Sequence, residues 1–342
     1  MKIVIPGGSG QVGTFLARAF GGDGHEVVIL GRRAAKESNE RVGGNSLHLS
    51  NKSTRIVPWD AVSLGGWTAE LEGADAVINL AGRSVNCRYN PRNRKLITDS
   101  RVNSTRAVGE AIAQCKHPPR VWLQAGSATI YAHRFDAPND EATGIMASAE
   151  TDVPDTWRFS IGVATSWERA ANAFELPHTR KVLLRSAIVL NPDPGSAFEI
   201  LLRLVRFGLG GHSGNGRQYV SWIHEIDFIR AITWLIENES IEGAVNITSP
   251  NPVPNEEFMR GLRDAWGIKF GLPSPEWLLE IGAFFMRTES ELILKSRRVV
   301  PGVLTKGGFN FEFPAWRDAA RDLCRRWREL NGGRIAGGTG CP

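Results

Sequence analysis

The stretch MKIVIPGGSGQVG constrains the fold more than any other part of the chain. Residues 2–5 form a short, mostly apolar run that reads as a strand. Residues 11–20 follow as a helix, with Val12, Phe15, Leu16 and Ala19 on one face. Between them lie Gly7, Gly8, Ser9 and Gly10, with Gly13 three residues on. Glycine in a strand-to-helix turn lets the backbone approach a pyrophosphate, and the first turn of the helix offers unpaired N–H groups at the positive end of its dipole. Gly8 and Gly10 are assigned the turn and the approach, and Gly13 the close packing of helix on sheet. Gly7, Ser9, Gln11 and Val12 complete the expected dinucleotide cradle.

The end of the second strand bears on which dinucleotide is held. A carboxylate there bonds the ribose hydroxyls of NAD. This chain has ILGRR, with no carboxylate between Leu30 and Ala35. Gly31 leaves room, and Arg32 and Arg33 are cations suited to a 2′-phosphate. NADP(H) is therefore expected in preference to NAD(H).

Short apolar runs alternate with helical patterns through the first half. EVVIL, TRIVPW, ADAVINLAG, RVWLQAG and KVLLRSAIVL are expected as strands two to six, with a long helix over 92–114. ADAVINLAG is largely apolar, as a strand covered on both faces is. The alternation predicts an α/β fold: a Rossmann doubly wound parallel sheet with helices on both faces. After residue 190 the pattern loosens into a Gly-rich loop, FGLGGHSGNGRQ, then a helix over 225–237, a strand GAVNIT and a helix over 255–266 that Asn255 could cap. A last helix carries Trp316, Ala320, Leu323, Trp327 and Leu330 on one stripe. The expected organisation is a Rossmann domain over 1–190, with 217–250 contributing. A small C-terminal α/β lobe over 191–330 lies on the substrate side, and 331–342 form a flexible tail.

Composition narrows the function classes. The net charge of +5 comes from Lys and Arg scattered along the chain, and no nucleic-acid-binding motif occurs, so no nucleic-acid partner is expected. Cys87, Cys115, Cys324 and Cys341 lie far apart, with no CxxC and no His at ligand spacing, which argues against a metal site or a disulfide framework. Neither a leader pattern nor a long apolar window is present, and a cytoplasmic protein without a membrane partner is expected. The glycine turn lacks the Lys-Ser/Thr of a phosphate-transfer loop, and no G-x-S-x-G elbow exists.

These residues, with WD at 59–60 and NLAG at 79–82, resemble the extended short-chain dehydrogenase/reductase superfamily. Further stretches narrow the resemblance: SR at 100–101 with Thr105, GSATIY at 126–131, SWERAA at 166–171, LRSAIVL at 184–190, GRQYVSWIHEIDF at 216–228 and GAVNITSPNPV at 243–253. They are similar to its atypical branch, the epimerase family proteins akin to nucleoside-diphosphate-sugar epimerases. VVPGVLTKGGFNFEFP at 299–314 resembles the short C-terminal domain of unknown function that those proteins carry. The resemblance implies a cleft between the Rossmann domain and the small lobe, a small polar substrate such as a nucleotide sugar or carbonyl compound, and a homodimer as a superfamily habit. It also implies roles by position. Asp60 would approach the adenine, and Leu80, Ala81 and Gly82 would pass under ribose and phosphates. Arg83 and Arg88 would flank the cleft, with Tyr89 where the family has Trp. Ala187 and Ile188 would lie near the nicotinamide, and Arg217, Trp222 and His224 would face the substrate.

Hydride transfer at a carbonyl needs a proton partner. In working members of the superfamily a Tyr serves, with a Lys four residues later and a Ser that orients the substrate oxygen. Ser127 matches the Ser. The chain has three tyrosines, Tyr89, Tyr131 and Tyr219, followed four residues later by Asn93, Phe135 and Ile223, so no Y-x-x-x-K exists. Registering Glu168 on the superfamily glutamate puts Ser160 at the Tyr place and Ala164 at the Lys place. Three readings stay open. Another residue, Tyr131, Tyr89 or His224, supplies the proton; or the reaction needs no strong acid; or the protein is a non-catalytic NADP(H)-binding sensor or interaction module.

Overall fold

The computed structural model describes residues 1–31, 53–150, 152–274 and 294–335. Its strands are β1 (Lys2–Pro6), β2 (Glu26–Gly31), β3 (Thr54–Pro58), β4 (Ala76–Asn79), β5 (Val121–Ser127), β6 (Arg180–Ser186), β7 (Ile188–Leu190), β8 (Tyr219–Val220), β9 (Trp222–His224), β10 (Gly243–Ile247) and β11 (Val253–Pro254). Its helices are α1 (Gln11–Gly22), α2 (Pro91–Gln114), α3 (Asp155–Asn172), α4 (Ala197–Arg206), α5 (Glu225–Glu237), α6 (Asn255–Trp266), α7 (Gly302–Lys306) and α8 (Trp316–Ile335). Among the described residues, none of the helices is long and apolar enough to cross a membrane.

Seven strands form one sheet in the order β10-β6-β5-β4-β1-β2-β3, and every pair is parallel. Alternate residues of each strand enter two different cores. Ile3 and Ile5 pack with Phe15, Leu16 and Phe20 of α1 and Phe228, Ile232 and Leu235 of α5. Val4 points the other way, into a core with Trp59, Trp67 and Val108, Ala111 and Ile112 of α2. Both sheet faces are thus buried, which is why the strands are apolar at nearly every position. The strand order reverses between β1 and β4, and a sheet of this kind opens its ligand crevice at the carboxyl ends of the strands flanking that point.

The sixth expected strand is two. β6 ends at Ser186; then Ala187 N donates to Ile247 O (3.1 Å) and Ile188 N to Ser221 O (3.4 Å). β7 leaves the main sheet to pair in parallel with β9. The run KVLLRSAIVL hides this switch because both halves are apolar.

α4, α6 and α8 close a third core around Phe198, Leu202, Phe258, Leu262, Trp316 and Leu323. Trp316, Ala320, Leu323 and Trp327 of the α8 stripe are buried there, whereas Leu330 is 55% exposed. α8 continues to Ile335, into the stretch expected as tail; residues 336–342 lie outside the described residues. Asn255 does not cap α6. Pro254 holds that position, and the Asn255 side chain instead accepts from Ser213 N (2.7 Å), fastening the Gly-rich loop. The stretch 191–330 divides its packing between both halves of the molecule. Val299 packs on Ala128, Ile130 and Tyr131, and Leu304 and Phe309 join the core of the main sheet.

Arg185 of β6 pairs with Glu168 of α3 through Nε–Oε1 (2.8 Å) and Nη2–Oε2 (2.9 Å). The side chains of the two are only 11% and 10% exposed. Arg185 Nη1 also donates to the Tyr131 hydroxyl (2.8 Å), which donates in turn to Asn246 Oδ1 of β10 (3.0 Å). This network locks α3 to the carboxyl end of the sheet.

Two predictions follow from packing. A Cβ on Gly13 would meet Gly8 Cα at 2.4 Å, whereas one on Gly22, in the same helix, meets nothing within 4 Å. Gly13→Ala is therefore expected to cost about 1–3 kcal/mol in urea denaturation, and Gly22→Ala to gain about 0.4–1 kcal/mol. Arg185→Met, which strands Glu168, is expected to cost about 3–5 kcal/mol, and the Glu168→Gln/Arg185→Met double variant distinctly less.

Candidate active site

The β1–α1 turn is a bare backbone surface. Gly7 has φ +76, and a Cβ there would fall 2.6 Å from Ala81 Cα and 2.9 Å from Leu80 C. A Cβ on Gly8 would meet Ile5 O at 2.9 Å. The turn closes through Gly7 N to Leu30 O (2.9 Å) and Gly10 N to Gly7 O (3.0 Å). Gly7, not named for the turn from sequence, is the residue whose conformation requires glycine. Gly13 packs on the turn itself, at Gly8. Gly10 precedes α1, whose opening residues Gln11, Val12 and Gly13 present backbone N–H groups with no intrahelical acceptor. Gly31, at the end of β2, lies beside the turn, its Cβ position 3.6 Å from Ser9 Oγ. Arg32 and Arg33 lie outside the described residues.

Opposite the turn runs the loop that follows β4. Asn79 Nδ2 donates to Gln124 Oε1 (2.9 Å) while Asn79 Oδ1 accepts from Ala81 N (3.1 Å), holding Leu80–Gly82 in line with the turn. Asp60, beyond β3, is exposed. Its carboxylate accepts from Val62 N and Ser63 N, both 2.9 Å, and from the Ser63 hydroxyl. That hydroxyl, with the backbone bonds, holds the Asp60 carboxyl below the usual range.

A cavity of about 450 Å³ opens where these elements meet. Its lining includes Val12, Leu80, Phe228, Ala187, Ile188, Tyr89, Phe159, Val163 and Trp167. Ser127, Ser160, Ala164 and Arg101 also face it. Ser160, Ala164 and Glu168 stand four residues apart on one face of α3. The Glu168–Arg185 pair therefore sets the register in which Ser160 and Ala164 reach the cavity. Ser127 ends β5, opposite Ser186 of β6. Its Oγ accepts from Thr129 N (3.2 Å) at the head of a short 3-10 turn, Ala128–Ile130. That bond uses a lone pair and leaves the hydroxyl hydrogen to donate.

Several residues expected at the substrate side are elsewhere. Tyr131 is buried, and its hydroxyl is spent between Asn246 and Arg185. Burial, against the pull of Arg185, raises its pKa, so it is not placed to give a proton to the cavity. Trp222 is fully buried and packs against Trp316 in the small-lobe core. His224 is also fully buried. Its Nδ1 accepts from Ile226 N (3.1 Å) as the cap of α5, its Nε2 faces Asp322 (3.2 Å), and its ring stacks on Phe313. Burial lowers its pKa to about 4, so the neutral ring with hydrogen on Nε2 is the form that fits both bonds. Arg83 and Arg217 are exposed, Arg88 is half-buried, and none of the three is on the cavity wall. Of the proton donors considered from sequence, Tyr89 alone lines the cavity. Arg101, Phe159 and Trp167 were missed as site residues. Their spacing on α2 and α3 looks like ordinary helix packing until the two helices are brought together.

Residues 3–151 match the NAD dependent epimerase/dehydratase family and residues 274–323 a domain of unknown function, DUF1731. The chain is 31% identical over 314 residues to epimerase family protein YfhF of Bacillus subtilis, covering 92% of this chain and 94% of that one. It is 28% identical over 329 residues to epimerase family protein SDR39U1 of Homo sapiens, covering 94% and 99%. The crystal structure of human SDR39U1 (isoform 2) with NADPH superposes with a TM-score of 0.78 at 27% identity, over 95% of this chain and 99% of that one. UDP-glucuronic acid 4-epimerase from Bacillus cereus, at 16% identity and a TM-score of 0.71, covers 96% of this chain and 100% of its own and shares the fold alone. With a glycine cradle at the switch point of the sheet and near full-length likeness to YfhF, the chain belongs to the epimerase family of short-chain dehydrogenase/reductase-type proteins.

Proposed function

We propose that this protein is an NADP(H)-dependent oxidoreductase of epimerase-like type that acts on a small polar substrate in the cavity beside Ser127. The observation that carries the reading is the cavity itself. Val12, which follows the β1–α1 turn, and Leu80, which the turn packs against, share its lining with Ser127, Ala187 and Ile188. The residues present fit a dinucleotide, because Gly7, Gly8 and Gly13 leave no room for side chains where a pyrophosphate would lie and the first turn of α1 faces it with N–H groups. A relative over nearly the whole chain has been crystallised with NADPH, and this supports the phosphorylated cofactor. In this reading Arg32 and Arg33 hold the 2′-phosphate.

When bound, the nicotinamide would give or accept the hydride. The protein's part is to orient the substrate and handle the proton. Ser127, its oxygen steadied by Thr129 N, donates to the substrate oxygen. The apolar walls formed by Val12, Leu80, Val163 and Trp167 exclude water and strengthen that bond. Tyr89, on the wall through its packing against Phe159 (centroids 4.8 Å apart), is the residue assigned to proton delivery.

Fluorescence titration of NADPH against the full chain, then a panel of carbonyl compounds and nucleotide sugars followed by NADPH absorbance, tests the assignment. Ser127→Ala is expected to lower kcat/KM by about 100-fold or more with NADPH affinity unchanged. Tight NADPH binding with no turnover on any substrate would favour the sensor reading, and no NADPH binding would end both. Separately, Arg32→Ala is expected to reduce the preference for NADPH over NADH by about tenfold; an unchanged preference removes the 2′-phosphate role from that residue.

A further inference from the structure

Arg101 of α2 is a cation that lines the cavity, with no carboxylate bonded to it among the described residues. Its side chain crosses the β4 loop at Gly82, whose Cβ position lies 3.2 Å from both Cγ and Cζ. Its guanidinium sits 4.9 Å from the centroid of the Trp167 ring. Nη1 donates to Arg83 O (2.9 Å) and Ile97 O (3.1 Å), and these two carbonyls fix the orientation of the group. Nε lies 3.4 Å from the Cβ position of Gly82, neither Nε nor Nη2 has a protein acceptor among the described residues, and the residue lines the cavity. The ionisable groups that bear on Arg101 are Tyr89 and Cys87, neither a carboxylate. Burial lowers its pKa to about 10, so it stays charged at neutral pH.

Arg185 is also withdrawn from water, but its Nε and Nη2 edge grips Glu168 in two parallel bonds. On Arg101 the same edge has no carboxylate partner among the described residues, and the residue lines the cavity. A guanidinium shielded from water is costly unless an anion meets it, and its planar fork matches a carboxylate or phosphate in bidentate fashion. Ser127 and Ser160 share the cavity with it, and much of the remaining wall is apolar. An anion on this edge would supply the charge the site lacks.

We infer that Arg101 is the anion-recognising residue of the cavity and that the substrate carries a carboxylate or phosphate held by its Nε–Nη2 edge. This rests on the reading of the cavity as the substrate end of a dinucleotide cleft. It narrows the substrate class from small and polar to small and anionic. The same chemistry has one other source, a phosphate of the dinucleotide, and the test separates the two.

Full-length protein saturated with NADPH is titrated calorimetrically with oxalate, inorganic phosphate and, as an uncharged control, oxamide. Wild type is expected to bind at least one anion and not oxamide. Arg101→Gln should weaken that binding about tenfold or more while NADPH affinity changes less than about threefold, and Arg101→Lys should recover part of it. Near-UV circular dichroism checks that each variant is folded, and Arg101→Lys carries the test if the Gln variant is not. Equal anion binding in the variants, or no anion binding by wild type, overturns the inference. So does loss of NADPH affinity by about tenfold or more in Arg101→Gln, since the edge then belongs to the cofactor. If wild type takes up no NADPH, the dinucleotide reading fails by itself. The same titrations on the bare protein then decide whether Arg101 holds an anion.

Discussion

The site depends on one close approach of bare backbone. Gly7 lies so near Leu80 and Ala81, and Gly13 so near Gly8, that neither tolerates a Cβ without the main chain moving. This contact presses the start of α1 against the loop after β4, at the point where the sheet reverses its strand order. It brings Val12 and Leu80 to one cavity. A larger residue at either glycine would separate the helix from the loop and open the cleft before any ligand arrived.

A second constraint acts from the other side. The Glu168–Arg185 pair, extended through Tyr131 to Asn246, ties α3 to β6 and β10. Asn246 N in turn donates to Glu141 Oε1 (2.7 Å), and Asn246 Nδ2 to Val300 O (2.9 Å), so the segment after residue 294 is held by the same network. A tyrosine near Ser127 in sequence is thereby committed to structure. The hydroxyl that seems available from its position carries two protein bonds instead. The same holds for His224, which caps α5 and meets Asp322 of α8. Buried polar groups in a low-dielectric interior are strongly favoured to satisfy one another, and residues used in this way are removed from chemistry.

Arg101 and Arg185 show opposite outcomes of the same physics. One is neutralised by a carboxylate on a neighbouring helix. The other lines a cavity, is bonded to two carbonyls through Nη1, and has no carboxylate partner among the described residues. Nothing in the sequence separates them. The difference lies in what the fold brings near each one.

Local pattern was enough to read the sheet, the glycine turn and the likeness to the epimerase family. Alternation of apolar runs with 3.6-residue periods, and glycines bounded by strand and helix, are properties of neighbouring residues. The break between Ser186 and Ile188 was not legible, because pairing with β9 is a contact across more than thirty residues of chain that leaves no mark on an apolar run. The burial of Trp222, the capping role of His224, the engagement of Tyr131 and the place of Arg101 and Phe159 in the lining of one cavity were likewise decided by tertiary contacts. By itself the sequence determined the architecture and the cradle, since backbone sterics and hydrophobic periodicity act over a few residues. Only the folded structure decided which polar side chains satisfy one another and which face the cavity, since that depends on partners distant in the chain.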